Sequence, residues 1–307
     1  MKSITICLLL ALCAYYINAR TILGYGDLAA NNIYTIDNVN NIKYSKAYDP
    51  QPQFMLAFGG LATNASYSFN AVYTNGDQTM TWGLVNFMKG TITDLSTIHN
   101  AYPVNGLSGL SLYVGNGTLY YLGSQKTSGG NQIDFIQSNF HTKDQTTLPI
   151  TISAYPAQGI YDFTSGADYF VVTITNSNQY ECFWVDVITN QVIQNVVLPA
   201  TSFVDSKFQI FAYQRNLYIV KSDMAGKYVE VYIVDWTNQA LNLYARVQVP
   251  NQPISLQVSV IANYLAIFST GRNDQTPTIP LINLSSSLVT DFLTGLSVSN
   301  ADTYFIF

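Results

Sequence analysis

Few residues in this chain have the chemistry to act on a substrate. Glu occurs only at Glu181 and Glu230, and His only at His99 and His141. A hard-cation site of the kind that activates lactones or esters needs several carboxylates or amides converging on one point. With two Glu, and most Asp residues at positions that read as turns, no such set is visible. Glycoside cleavage asks for an acidic pair, and recognition of an acidic sugar asks for clustered guanidinium groups. The arginines Arg20, Arg215, Arg246 and Arg272 are scattered instead. No Gly-x-Ser-x-Gly nucleophile motif occurs. Two histidines exclude a His-rich metal site and leave His99 at most as one partner in a mixed one.

The acidic residues that do recur point to structure. Val229–Pro250 holds an apolar run ending at Asp235-Trp236, a turn Thr237-Asn238-Gln239 and a second alternating run, which together make an antiparallel hairpin. Counterparts of Asp235 stand at Asp37, Asn86, Gln137, Asp186 and Asn283, with successive gaps of 49, 51, 49, 49 and 48 residues. Asp or Asn at a strand end accepts N–H bonds from the following turn, and that alone explains the recurrence. A period near 50 built entirely of strands is the signature of a β-propeller.

Each unit reads as four strands, a to d from the axis outward. In the fifth these are Lys207–Ala212, Leu217–Lys221, Val229–Trp236 and Leu241–Val247. The first unit has only b, c and d, at Thr21–Tyr25, Ile33–Asn38 and Ile42–Ala47, and the segment Thr303–Phe307 supplies the missing a. The expected fold is therefore all-β, a six-bladed propeller of four-stranded antiparallel blades, closed by three N-terminal strands and one C-terminal strand. Residues 20–307 form its single domain. Trp82, Trp184 and Trp236 are expected to fill the space between blades.

The segment Phe183-Trp184-Val185-Asp186-Val187-Ile188-Thr189-Asn190-Gln191, with its apolar strand, Asp and Asn-bearing turn, resembles the broad extracellular propeller repeats of the YVTN and NHL-like kind. The resemblance spans the mature chain and implies a fold, not an activity. Thr74–Trp82 resembles the Asp-box turn of sialidases, but its Gly76 precedes its Asp77 and the order is wrong.

Compartment follows from the first residues. Lys2, the apolar stretch Ile4–Ala14 and Ala19 before Arg20 make residues 1–19 a secretory signal peptide, too short to span a bilayer. Cys7 and Cys13 lie within it, so the secreted chain keeps Cys182 alone and must do without an intramolecular disulfide. Charged residues make up 10% of the sequence, against about 25% in an ordinary soluble domain. The net charge of -5, with no basic cluster, argues against nucleic-acid binding. Sequons at Asn64, Asn116 and Asn283 mark glycosylation, with Asn283 also needed as a turn cap.

A functional face should use the b-to-c loops and the connections from d to the next a. Its candidates are Asp77, Asp223, Lys227, Arg272 and Asp274 on the former, and His99, Tyr102 and Asp205 on the latter, although all are residue types that turns use anyway. The leading expectation is a secreted, glycosylated, non-catalytic propeller, monomeric and without a cofactor or membrane span, that binds a protein or glycan partner through one face. A lumenal location in the secretory or endolysosomal pathway is the alternative compartment. The alternative function is a hydrolase of lactonase, esterase or glycosidase type, with a site at the central channel built from single residues of several blades.

Overall fold

Every regular element among the described residues is a β-strand, as β-branched and aromatic runs punctuated by Asn, Asp, Gly and Ser dictate. The computed structural model describes residues 22–27, 32–37, 42–47, 54–63, 68–74, 78–86, 89, 91–101, 110–123, 132–153, 157–199, 208–249, 253–261, 263–271, 278–293 and 303–306. Residues 1–19, read from sequence as a signal peptide, lie outside them.

Among the described residues twenty-four strands form six antiparallel sheets of four. The first sheet holds β1 (Ile22–Asp27), β2 (Asn32–Asp37), β3 (Ile42–Ala47) and β24 (Thr303–Ile306), in the order β24-β1-β2-β3. Leu23 pairs with Ile306 and Gly26 with Thr303. The second holds β4 (Phe54–Thr63), β5 (Ser68–Thr74), β6 (Thr79–Asn86) and β7 (Thr91–His99). The third holds β8 (Ser111–Tyr113), β9 (Thr118–Gly123), β10 (Gln132–Asn139) and β11 (Gln145–Thr151). The fourth holds β12 (Ala157–Tyr161), β13 (Asp168–Ile174), β14 (Tyr180–Asp186) and β15 (Gln191–Val197). The fifth holds β16 (Gln209–Tyr213), β17 (Asn216–Ser222), β18 (Tyr228–Asp235) and β19 (Ala240–Gln248). The sixth holds β20 (Pro253–Ile261), β21 (Tyr264–Gly271), β22 (Thr278–Asn283) and β23 (Val289–Leu293). First strands of neighbouring sheets touch, β4 on β8, β12 on β16, β16 on β20 and β20 on β24, while β12 also meets β9.

The core lies between sheets. Phe135, Tyr120, Tyr161 and Tyr169 fill the space between the third and fourth, and Phe170, Cys182, Phe208 and Ile219 that between the fourth and fifth. Tyr218, Val231, Leu265 and Ile282 do the same for the fifth and sixth. Middle strands are thus buried on both faces, which is why β9 and β13 read as continuous apolar runs and not as strict alternation. Each such side chain contributes about 1.5–3 kcal/mol through burial. Trp82 is buried in the core between the second and third sheets, and Trp184 and Trp236 pack partly buried against the core between the fourth and fifth.

Turn caps sit where the repeat places them at Asn86, Asp186, Asp235 and Asn283, Gln137 is corrected, and the side chain of Asp37 lies outside the described residues. Asp186 Oδ1 accepts the N–H groups of Ile188 and Thr189, Asp235 Oδ1 those of Thr237 and Asn238, Asn86 Oδ1 that of Lys89, and Asn283 Oδ1 that of Ser285. In the third sheet Asn139, not Gln137, holds the turn, accepting from His141 and Thr142. Gln137 reaches across instead, donating its amide to the Val187 carbonyl of the fourth sheet at 2.9 Å.

That reach is one of a set of stitches between sheets. Outer strands β7, β15 and β19 each carry an extra residue at Leu95, Ile193 and Tyr244, where the register shifts by one. Such a bulge re-aims the local side chains. Beside it Ser96 Oγ donates to the Phe140 carbonyl, Gln194 Nε2 to that of Trp236, and Tyr244 Oη to that of Leu284, each in the turn of an adjoining sheet. The third sheet has no register shift at the equivalent place, and there Gln137 makes the link.

Candidate functional site

Polar chemistry collects at one end of the fifth sheet. Antiparallel register puts Lys221 of β17 opposite Glu230 of β18, and Glu230 opposite Arg246 of β19, so three side chains from successive strands share one face. The Arg246 Nε lies 3.3 Å from Glu230 Oε1, the Lys221 Nζ 3.7 Å from Oε2, and the Tyr232 hydroxyl donates to Oε2 at 2.8 Å. Burial of its ring and this bond to Glu230 push the Tyr232 phenol up to about 12.

The turn between β17 and β18 completes the cluster. Asp223 Oδ1 accepts the backbone N–H groups of Lys227 and Tyr228 at 2.7 and 2.9 Å, and Oδ2 faces Arg246 Nη2 at 3.7 Å. Desolvation alone would raise this carboxyl, but the two amides and the guanidinium outweigh it and hold it below the usual Asp value. The Arg246 guanidinium covers the Tyr228 ring, Cζ 3.8 Å from its centroid, and the Lys221 ammonium stands 5.1 Å from that of Tyr232. The carboxylates are thus answered from within the chain, two acids by two bases. Facing solvent are half of the Arg246 side chain, Lys227 and, on the same turn, Met224 at 78% exposure.

A second polar group joins the fourth and fifth sheets at the opposite end. Asp162 accepts from Thr164 N and Oγ1 through Oδ1, and from Arg215 N at 2.6 Å through Oδ2. Asp168 takes the Trp184 Nε1 donor at 2.7 Å and Arg215 Nε at 3.2 Å. Both carboxylates are buried and committed to bonds within the chain, which makes this group an inter-sheet fastening.

Of the expected face residues, the structure brings Asp223 and Lys227 together in the first cluster. His99 ends β7 opposite Thr79 and is exposed, away from them. Asp77, Tyr102, Asp205, Arg272 and Asp274 lie outside the described residues, as does Asn64. Asn116 is exposed and Asn283 half-buried. Glu230, Lys221, Arg246, Tyr228 and Tyr232 were not singled out as site residues from sequence. The only sequence signal for them is that Lys221, Glu230 and Arg246 interrupt apolar strands. Cys182 is buried, and burial together with the neighbouring Glu181 charge pushes its thiol well up, out of thiolate chemistry. Among the described residues no three His, Cys, Asp or Glu side chains group as a metal site, and no helix is long and apolar enough to cross a membrane.

No known family profile matches this chain, and no curated protein is significantly similar to it. Solved structures are similar in shape. TolB from Acinetobacter baumannii superposes with a TM-score of 0.57 at 10% identity over 94% of this chain, which spans 66% of that one. A protein from Lactobacillus plantarum gives 0.55 at 11% identity, covering 94% of this chain and 99% of the other. A proposed 6-phosphogluconolactonase from Bacteroides fragilis NCTC 9343 gives 0.53 at 14% identity, covering 94% and 98%. Identities this low speak for architecture alone. Six four-stranded antiparallel sheets and these likenesses together give the chain a β-propeller-like fold.

Proposed function

We propose that the mature chain, residues 20–307, is a secreted, glycosylated, six-bladed propeller whose first blade is closed by β24, and that it binds a protein or glycan partner without catalysis. The observation that carries this reading is the fifth-sheet cluster. Glu230 and Asp223 are answered by Lys221, Arg246, Tyr232 and backbone amides, an arrangement that fixes a surface and leaves the carboxylates committed. What it offers outward is a guanidinium laid on Tyr228 beside an exposed Met224, and Arg, Tyr and Met are the residue types enriched at the centres of protein interfaces. A protein partner is therefore favoured over a glycan.

Retention of the secreted chain on immobilised extracellular proteins and on a glycan panel tests the reading. Arg246→Ala and Met224→Ala are expected to weaken the captured interaction by tenfold or more, the size of a hot-spot loss. Binding that neither change disturbs would move the site elsewhere. Turnover of a lactone, aryl ester or glycoside by the purified chain would favour the hydrolase alternative.

A further inference from the structure

The turn Tyr113-Val114-Gly115-Asn116-Gly117-Thr118 holds a sequon in a fixed geometry. Tyr113 and Thr118 are the last registered pair of β8 and β9, so their side chains share a face at the tip of the hairpin. Gly117 has φ +67, the left-handed conformation that closes such a turn, and a Cβ there would run into the His141 and Trp82 rings. Asn116 is exposed, and its Oδ1 accepts the Thr118 N–H at 3.0 Å. Tyr120 stands opposite Ser111 two pairs further along the same ladder, so it shares the face that carries Tyr113 and Thr118. Tyr113 remains 37% exposed, its ring lying over Gly115 and tilted against Tyr161 at 5.9 Å.

We infer that the first sugar of an N-glycan on Asn116 stacks against the exposed ring of Tyr113, so that the modification fastens the β8–β9 hairpin. The inference rests on the proposed glycosylation and adds to it a structural role for one site. Transfer from a lipid-linked oligosaccharide diphosphate forms the bond between Nδ2 and C1 of the sugar and breaks that between C1 and the diphosphate oxygen. One amide proton leaves and the nitrogen keeps the other. Oδ1 is untouched by the transfer and continues to accept the Thr118 N–H, so the amide plane stays fixed and the sugar leaves in a defined direction. A pyranose ring presents C–H groups on one face, and an aromatic ring across the hairpin is the surface that such a face covers.

The secreted chain, prepared in a glycosylating cell, tests this in three forms: intact, trimmed by an endoglycosidase to a single N-acetylglucosamine, and stripped by an amidase. Intact mass and peptide mapping report occupancy of Asn116. The trimmed form is expected to melt with the intact one and the stripped form about 2–4 °C lower, the shift that one aromatic contact gives in a domain of this size. In Tyr113→Thr, which keeps a strand-forming residue, trimmed and stripped forms are expected to melt together. In the unmutated trimmed chain the N-acetyl methyl resonance is expected upfield of its free-sugar position. An unoccupied Asn116 overturns the modification and the contact together. An occupied Asn116 overturns the contact alone if stripping lowers the parent chain and the Tyr113→Thr variant equally, or lowers neither.

Discussion

Glu230 and Arg246 face each other across β18 and β19 with Nε 3.3 Å from Oε1, and the same carboxylate is held from its other side by Lys221 and Tyr232. Lys221 is almost wholly buried, its side chain 4% exposed, and Glu230 sets a carboxylate against its ammonium there. Glu230→Ala is expected to cost about 3 kcal/mol in urea denaturation, because it removes the carboxylate that faces that buried ammonium. Adding Lys221→Met should recover most of the loss. A double variant as unstable as the single one would show that Glu230 acts through Arg246 instead.

Acid should loosen the turns before it loosens the core. Asp186, Asp223 and Asp235 all have carboxyls held below their ordinary value, the first and third chiefly by turn N–H groups. Because the folded values are depressed, their contribution is complete above the unfolded-chain value of about 3.9 and is lost as pH falls through the lower folded values. The melting temperature should hold steady down to about pH 5 and drop below it. In an Asp186→Asn, Asp235→Asn double variant, whose caps do not titrate, the drop should be shallower. An acid limb identical to that of the parent would place the responsible groups elsewhere.

Bulge residues should matter for the local shape of the strand more than for their own contacts. Gln194→Ala removes one hydrogen bond to the Trp236 carbonyl and is expected to cost about 1 kcal/mol. Deleting Ile193 removes an exposed side chain and leaves Val192 and Gln194 opposite Val185 and Trp184, but it abolishes the bulge that aims Gln194 at the Trp236 carbonyl and twists β15, so it should cost more than the one hydrogen bond. Equal midpoints for the two variants in guanidinium would refute a role for the bulge beyond that one bond.

Cys182 lies at 0% exposure among Phe170, Phe208 and Ile219, with its thiol pushed up by burial. Alkylation by iodoacetamide at pH 8 is expected to be slow in the native chain and fast in denaturant. Rapid native labelling would mean that the fourth and fifth sheets part readily.

Most of the strand pattern was legible because the units repeat and the apolar runs are bounded by turn residues. Asp186 and Asp235 could be placed as caps for the same reason. Gln137 was misplaced because Gln137-Ser138-Asn139 offers two amides within three residues, and only the turn itself selects Asn139. The extra residues at Leu95, Ile193 and Tyr244 leave no trace in composition, since one additional apolar residue in an outer strand reads as ordinary alternation. The Lys221, Glu230 and Arg246 cluster depends on the register of three strands at once, which sequence spacing does not specify.

The pairing of β24 with β1 sets the order of events when the chain folds. Stitches between adjoining sheets join residues 40 to 53 positions apart, as in Tyr244 to Leu284 and Gln137 to Asn190, so any two neighbouring sheets can nucleate each other. Leu23 and Ile306 are about 280 residues apart, and bringing them together costs about 1.5 kcal/mol more loop-closure entropy than a 50-residue contact. The first sheet is therefore expected to be completed last, and refolding should show a late phase in which the ladder of β24 on β1 is still being made.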